Sequence, residues 1–279
     1  MRCAWNELIR ILPTSIRSDV DRLGQETLQE LRLRLSSPPE LVTETGNIHL
    51  TQATSREDLL YCINTASRYS PWAAATTAQG YLTAPGGHRI GMCGEAVIRN
   101  GKMEGIRNVT SLCIRVARDF PDIAGKLGKL PGSLLILGPP GSGKTTLLRD
   151  LIRQRGAIAR EHVAVVDERG ELFPPGGIFQ GGALADVMTG CGKAQGIDTV
   201  LRTMGPSCIA VDEITAEEDC QALLKAGWCG VTLVATAHAS SKRDFYTRPV
   251  YRPLVDTGLF ETLIILRRDK TWKIERVEL

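Results

Sequence analysis

The chain has 279 residues, of which 43% are hydrophobic and 23% charged, a composition typical of a globular protein with one large or two modest domains. Its formal net charge of +3 is too small to indicate nucleic-acid binding by itself. The eight cysteines include no CxxC pair, so they predict neither a zinc site nor a compact disulfide framework and favour a reducing, intracellular compartment.

The first part of the chain predicts a small α+β domain. Residues 26–35 end in alternating leucines and arginines, a period of two that indicates a strand, and Pro38-Pro39 then excludes a helix. The segment Ser55–Ser67 predicts a helix, because Ser55 and Asp58 form a capping box ahead of apolar residues at helical spacing. Further short strands are predicted over Asn47–Leu50, then Gly80–Thr83, Arg89–Met92 and Glu95–Arg99 with glycine turns between them, and Leu112–Val116.

A polar, glycine-containing stretch, Pro121–Pro131, predicts a linker, and we divide the chain into domains 1–124 and 125–279. Beyond it, short apolar runs of strand length alternate with helical patterns. The predicted strands are Leu134–Leu137, Val163–Val166, Cys208–Val211 and Val231–Ala235, and the predicted helices are Lys144–Arg155, Ile197–Thr203 and Ala216–Ala226. This alternation predicts an α/β fold with a mostly parallel sheet. No apolar run reaches the ~18 residues that a membrane span needs, so any membrane role is expected to be peripheral.

The sequence Gly-Pro-Pro-Gly-Ser-Gly-Lys-Thr, residues 138–145, lies between an apolar strand and a helix. Glycines tolerate positive φ and let backbone N–H groups converge on phosphates, and the following helix directs its positive end to the same place. Lys144 is predicted to reach the β- and γ-phosphates of ATP, and Thr145 to supply a hydroxyl to Mg²⁺. The predicted ATP contacts are Gly138, Pro139, Pro140, Gly141, Ser142, Gly143, Lys144, Thr145 and Thr146.

Acidic residues follow two of the buried strands. Asp212 is the predicted second Mg²⁺ ligand, and Glu213 is placed to polarise the attacking water. In the cluster after Val163–Val166, Glu168 or Glu171 could act as the base or orient the waters of the metal. We favour Glu213 as the base, and Glu168 stays the alternative. Within that cluster, Arg169 is a further candidate catalytic residue.

The fourth apolar strand is followed by Thr236-Ala237-His238. An imidazole at a strand end beside the γ-phosphate could sense the state of the nucleotide, so His238 is a candidate catalytic residue. Thr236 suits a polar sensor position equally well.

These four elements, in this order, resemble the type II/IV secretion-system ATPases, whose Walker A loop, acidic box, Walker B strand and histidine box correspond to residues 138–145, 167–171, 209–213 and 236–238. The resemblance is closer to one branch, the stage III sporulation AA proteins. The segments that carry it are Glu30–Arg34, Gly86–Gly91, Ile114–Arg118, Val166–Arg169, Gly190–Gly196 and Val211–Ile214. The Walker B strand ends in Asp-Glu where most members have Gly-Glu, which favours Asp212 as the metal ligand.

The resemblance implies a RecA-like ATPase domain that hydrolyses ATP with Mg²⁺, in a homo-oligomer that is a hexameric ring. It also implies that arginines complete the site, and the matching positions are Arg89, Arg115, Arg118 and Arg202. The implied role is that of the mother-cell ATPase of a channel between mother cell and forespore. Such a protein would be cytoplasmic, lie at the inner face of the membrane and bind membrane proteins of the channel complex.

Two other functions fit the same loop. A nucleic-acid-dependent P-loop ATPase is one, but aromatic residues make up only 5% of the chain and form no evident stacking platform, so nucleic acid is not the favoured partner. The other is a nucleotide-switch scaffold that binds ATP and turns it over slowly.

Overall fold

The computed structural model of the chain describes residues 1–68, 80–174, 178–182 and 184–277. The chain packs as two compact units. The N-terminal unit comprises Met1–Asp119 with Pro174–Ile178, and the C-terminal unit comprises Phe120–Phe173 with Phe179–Leu279. The predicted boundary after residue 124 lies a few residues beyond Asp119, and independent folding of two domains stays a prediction.

The N-terminal unit is a six-stranded antiparallel sheet with helices on one face. Its strand order is β3-β2-β1-β6-β5-β4. The elements are α1 (Trp5–Ile11), α2 (Thr14–Leu23), β1 (Leu28–Arg34), β2 (Glu40–Thr43), β3 (Gly46–His49), α3 (Arg56–Ala66), β4 (Tyr81–Thr83), β5 (Arg89–Arg99) and β6 (Lys102–Arg115).

Strand β1 shows how the sequence pattern selects this packing. Leu31 and Leu33 are each 1% exposed and point into the core beneath the helices, whereas Arg32 and Arg34 between and after them are exposed. The period of two is confirmed, since alternate side chains of a strand face opposite sides of the sheet. The predicted capping box is also present, with the Ser55 hydroxyl accepting from the Asp58 N–H and the Asp58 carboxylate accepting from the Ser55 N–H.

The predicted separation of Arg89–Met92 from Glu95–Arg99 is wrong, because both belong to strand β5. Gly94 lies in a register irregularity of the β5–β6 pair, where an added Cβ would lie 2.7 Å from the Arg107 carbonyl oxygen. The glycine is therefore needed for close approach of two backbones in a bulge, not for a turn. The outer half of this pair is exposed, so it carries no apolar alternation for a sequence pattern to detect.

His88 joins distant parts of the N-terminal unit. Its side chain is fully buried, its Nδ1 accepts from the Ala117 N–H at 3.1 Å, and its Nε2 therefore carries the proton and donates to the Ala4 carbonyl at 3.0 Å. Burial lowers the pKa of His88 below the ordinary 6.5, because the charged ring would lose its hydration.

The N-terminal unit should lose stability as the pH falls below 6.5, because the unfolded state then binds a proton that the folded state resists. Urea unfolding followed by tryptophan fluorescence, at about pH 7.5 and about pH 5.5, measures this loss. His88→Gln should be less stable at the higher pH and should lack this part of the pH dependence. If the stability of His88→Gln depended on pH as that of the parent chain does, His88 would not be the source of this pH dependence.

The C-terminal unit contains a seven-stranded sheet of order β13-β12-β7-β11-β10-β8-β9. Its elements are β7 (Leu134–Leu137), α4 (Lys144–Ala157), β8 (Val163–Asp167), β9 (Ala185–Thr189), α5 (Lys193–Thr203), β10 (Cys208–Ile214), α6 (Glu217–Trp228), β11 (Thr232–Ala237), α7 (Lys242–Thr247), α8 (Arg252–Asp256), β12 (Thr262–Leu266) and β13 (Trp272–Arg276). Every neighbouring pair is parallel except β12 with β13, so the prediction of a mostly parallel α/β sheet is confirmed.

Helices cover both faces of this sheet. Alternate residues of β7, β8 and β10 pack with α5 and α6, and α4 packs against the strands from the other side. Strands β7, β8 and β12 are consequently buried at every residue. Burial on both faces explains why their sequences are mostly continuous runs of apolar residues.

The predicted linker is part of this unit. A 3₁₀ turn, Ala124–Leu127, is held by the Asp150 carboxylate, which accepts from the N–H groups of Asp122 at 3.1 Å and Ala124 at 2.8 Å.

Among the described residues, no helix is both long and apolar enough to span a membrane. All eight cysteines are free thiols, and burial raises the pKa of Cys62 to about 12 and of Cys208 to about 11.

Candidate active site

The glycine-rich loop follows β7 at the carboxyl edge of the C-terminal sheet. Gly141 has a φ of +75° and Gly143 a φ of +100°, and a Cβ at either position would meet nothing within 4 Å. Both glycines adopt a backbone conformation that other residues resist, and the space beside them is open. Gly143 immediately precedes α4, so the loop leads into the amino end of a 14-residue helix. A loop of this form directs N–H groups and the positive helix end at an anion.

Lys144 lies at the base of this loop and is 7% exposed. Its Nζ donates to the carbonyl oxygens of Gly138 at 2.9 Å and Pro139 at 3.1 Å, and to Nδ1 of His238 at 3.1 Å. Burial lowers the pKa of Lys144, and the charges of Asp212 and Glu213 oppose that shift. The structure thus places Lys144, the first residue of α4, within hydrogen-bond distance of His238, which follows β11.

His238 connects Lys144 to Glu213. Because its Nδ1 accepts from the ammonium of Lys144, the ring proton is on Nε2, which donates to the Glu213 Oε1 at 2.5 Å. The other carboxylate oxygen of Glu213 accepts from Arg169 at 3.4 Å. Burial raises the pKa of Glu213, but the hydrogen bond from His238 and the charges of Arg169 and Lys144 outweigh it and leave the pKa below its ordinary value. Glu213 is therefore a fixed, ionised carboxylate.

Asp212 binds two hydroxyl groups. The Thr145 hydroxyl donates to its Oδ2 at 2.7 Å, and the Thr236 hydroxyl donates to its Oδ1 at 2.5 Å. The Thr236 hydroxyl also accepts from the Glu213 N–H at 2.8 Å. Thr236 thus orients the Asp212–Glu213 pair as well as occupying the strand before His238.

An irregularity in β10 allows both acids to reach the site. Successive residues of a regular strand face opposite sides, so Asp212 and Glu213 could not both turn to the loop. The register of β10 against β11 shifts between Val211 and Ile214, and Glu213 has a φ of +59°. This left-handed conformation costs a residue with a Cβ about 1–3 kcal/mol, a strain that the surrounding structure has to hold in place.

The acidic residues at the end of β8 have two different roles. Asp167 is 2% exposed and its carboxylate accepts from the N–H groups of Glu171, Leu172 and Phe173, at 2.9–3.0 Å, so it shapes the loop. Burial raises its pKa, and these hydrogen bonds oppose the shift. Glu168 instead accepts from Lys193 at 2.5 Å.

Sequence reasoning missed Lys193, whose side chain is 8% exposed and lies at the start of α5. The helix predicted from the sequence begins at Ile197, four residues after Lys193, and therefore leaves Lys193 out, although a lysine that opens a helix at the carboxyl edge of the sheet is a recognisable signal. Glu213, not Glu168, joins the Lys144–His238 network, which supports the preference for Glu213 as the base while leaving that role a prediction.

Arg202 is not brought to the loop of its own chain. Helix α5 runs antiparallel to the strands, so its last turn lies at the opposite, amino edge of the sheet, beside a cavity that Gly205, Pro206 and Val231 also line. There Arg202 is 73% exposed and pairs with Asp198 at 3.9 Å. Arg202 therefore lies away from the phosphate-binding loop of its own chain, because the strand that follows it starts at the amino edge of the sheet, and its catalytic role stays a prediction.

The other predicted arginines belong to the N-terminal unit. Arg89 lies over the ring of Tyr81 at 3.9 Å, Arg115 is 3.5 Å from Glu30, and Arg118 donates to the Leu28 carbonyl. Their part in a nucleotide site stays a prediction.

Comparison with known proteins places the chain in a family. A model described as sporulation stage III, protein AA matches residues 4–276. The chain belongs to this family. The stage III sporulation protein AA of Bacillus subtilis strain 168 is 34% identical over 286 residues, which cover 95% of this chain and 92% of that protein. The protein SEEDLING PLASTID DEVELOPMENT 1 of Arabidopsis thaliana is 31% identical over 60% of this chain but only 24% of its own length.

Solved structures of an ATPase and of a pilus motor share the fold. The Legionella pneumophila ATPase DotB matches with a TM-score of 0.58 and 19% identity, over 96% of this chain and 80% of its own. The pilus retraction motor PilT, solved with bound ADP, matches with a TM-score of 0.64 and 16% identity, over 95% of this chain and 83% of its own. The predicted RecA-like fold and the resemblance to the type II/IV secretion ATPases are confirmed.

Proposed function

We propose that this protein hydrolyses ATP at the carboxyl edge of its C-terminal sheet. The observation that carries the proposal is the continuous network that joins Lys144 of the loop through His238 to Glu213. A buried ammonium, a neutral imidazole and an ionised carboxylate, each delivered by a different element, are more than nucleotide binding alone requires.

The residues beside the loop fit Mg²⁺. Thr145 and Asp212 place a hydroxyl and a carboxylate oxygen 2.7 Å apart next to the phosphate-binding loop, and hard oxygen donors in small number are what Mg²⁺ takes from a protein. When bound there, Mg²⁺ would neutralise charge on the β- and γ-phosphates. In the structure the Thr145 hydroxyl donates a hydrogen bond to the Asp212 carboxylate. Binding of Mg²⁺ with ATP would replace this hydrogen bond, because both oxygens would then turn to the metal.

The chain's own groups then have distinct tasks. Lys144 turns its ammonium from the Gly138 and Pro139 carbonyls to the phosphates, which releases Nδ1 of His238. Glu213, held by His238 and Arg169 on its two oxygens, accepts a proton from the attacking water. The water oxygen bonds to the γ-phosphorus while the bond from that phosphorus to the β–γ bridging oxygen breaks, and ADP leaves with the bridging oxygen. His238 thereby couples occupancy of the loop to the orientation of the base.

We also propose the finer assignments that family membership supports. The protein would act in a hexameric ring as the mother-cell ATPase of a secretion-like channel, in the cytoplasm at the inner face of the membrane and bound to membrane proteins of that channel. Arg89, Arg115 and Arg118 would complete a nucleotide site in such a ring, and Arg202, at the opposite edge of the sheet, could reach only the site of another subunit.

Removal of the metal gives the direct test. The purified chain should release phosphate from ATP in the presence of Mg²⁺, and EDTA should lower the rate by at least about a hundredfold, with excess Mg²⁺ restoring it. Specific activity should rise with protein concentration if another subunit completes the site. ATP binding without turnover at any concentration would contradict the proposal and favour the nucleotide-switch scaffold, and stimulation by single-stranded nucleic acid would favour the nucleic-acid-dependent ATPase.

A further inference from the structure

The tip of the β12–β13 hairpin lies beside the phosphate-binding loop. Strand β12 pairs in parallel with β7, the strand that leads into the loop, and Ile265 is the partner of Leu137. The two strands therefore end together. A Cβ at Gly138 would lie 3.1 Å from the Leu266 carbonyl oxygen, so the first residue of the loop packs directly on the end of β12.

The tip itself, residues 267–271, is a tight and internally bonded turn. The N–H of Arg267 donates to the Thr271 carbonyl at 2.9 Å, and the N–H of Lys270 donates to the Arg267 carbonyl at 3.1 Å. The Asp269 carboxylate accepts from the N–H and the hydroxyl of Thr271, at 3.0 and 2.6 Å. These bonds fix the direction in which each side chain of the tip leaves the backbone.

Lys270 extends from this turn to the loop. It has a φ of +67°, a conformation in which glycine or asparagine would be the ordinary choice, yet the position holds a long cationic side chain. Its Nζ donates to the carbonyl oxygen of Gly141, in the centre of the phosphate-binding loop. An ammonium has three donors, so two remain for a ligand.

The charges of the tip favour an anion. Arg267, Arg268 and Lys270 are exposed cations, and no ion pair engages them in the part of the chain that the structure describes. Asp269 contributes a negative charge, but its carboxylate faces Thr271 through two hydrogen bonds. The strand order places this cationic tip on one side of the loop and the acidic pair Asp212–Glu213, with His238, on the other.

We propose that Lys270 is a second phosphate-binding cation of the nucleotide site. This inference rests on the proposed function, since it takes the loop as the ATP site. Lys270 binds the polyphosphate on the side away from the candidate metal ligands and base, so it contacts phosphates that ADP retains. Its two remaining N–H donors bind phosphate oxygens, while the third stays on the Gly141 carbonyl.

Nucleotide affinity of the full chain tests the proposal. Lys270→Met should weaken binding of both ATP and ADP about tenfold and by the same factor, as expected for loss of one charge-assisted hydrogen bond at a partly exposed site. Lys270→Arg should recover part of the affinity. Lys273→Met is the matched control, because Lys273 lies on the same hairpin and pairs with Glu275 at 2.8 Å. Its affinities should stay within about twofold of the parent chain.

The outcomes separate this inference from the proposed function. Equal affinities in Lys270→Met and the parent chain, or equal losses in Lys270→Met and Lys273→Met, would overturn it. A lower melting temperature of Lys270→Met with unchanged affinity would also overturn it and assign Lys270 a purely structural contact with the loop. A parent chain that binds nucleotide through Lys270 but never hydrolyses it would sustain this inference and refute the proposed hydrolysis.

Discussion

Replacing Lys144 with alanine should abolish ATP hydrolysis, lowering turnover by at least about a thousandfold. The ammonium is buried at the base of the loop, where it can stabilise the negative charge that develops on the transferred phosphoryl group. Its loss also leaves the Gly138 and Pro139 carbonyls and Nδ1 of His238 without the donor they share. We therefore expect weaker nucleotide binding as well as loss of turnover, measured by phosphate release and by binding of a fluorescent ADP analogue.

Lys129→Ala is the control for this experiment, because Lys129 is an exposed lysine of the same unit that lies near the amino edge of the sheet. It should keep the parent rate. Turnover that survives in Lys144→Ala while Lys129→Ala behaves normally would mean that the loop is not the hydrolytic site.

Glu213→Gln should lower turnover about a hundredfold to a thousandfold while leaving Mg²⁺-dependent ATP binding nearly unchanged. Glutamine keeps the shape of the side chain and an oxygen that can accept from His238, but it cannot take a proton from water. Because the pKa of Glu213 lies below its ordinary value, the base stays ionised at neutral pH, and we expect no loss of activity from its protonation between about pH 6 and pH 8.

Glu168→Gln decides between the two candidate bases. Glu168 is bound to Lys193, so its replacement should reduce turnover far less than replacement of Glu213. Glu218→Gln, an exposed change on α6, serves as the control. A larger loss in Glu168→Gln than in Glu213→Gln would transfer the base role to Glu168.

The Glu213→Gln chain also tests the proposed assembly. A variant that binds ATP without turnover should accumulate in the ATP-bound state. A pull-down from sporulating cells should then retain other copies of the chain and membrane proteins of the channel. Recovery of the chain alone, under conditions where it binds ATP, would contradict the proposed ring and its membrane partners.

The sequence by itself determined the elements whose signals are local. The glycine-rich segment between a strand and a helix, the buried apolar runs of the parallel sheet, the alternation of Leu31 to Arg34 and the capping box at Ser55 each depend on neighbours along the chain. For the same reason the acidic residues at the carboxyl ends of β8 and β10, and His238 after β11, could be assigned to one edge of a parallel sheet without coordinates.

Only the tertiary structure decided which of those residues meet. The bulge that turns both Asp212 and Glu213 to the loop depends on the register of β10 against β11, and the pairing of Glu168 with Lys193 joins different elements. The position of Arg202 depends on the direction in which α5 crosses the sheet. Lys270 reaches Gly141 across 129 positions of sequence because β12 pairs with β7. Side-chain contacts between strands carry no local signal, since they arise from pairing that the whole sheet selects.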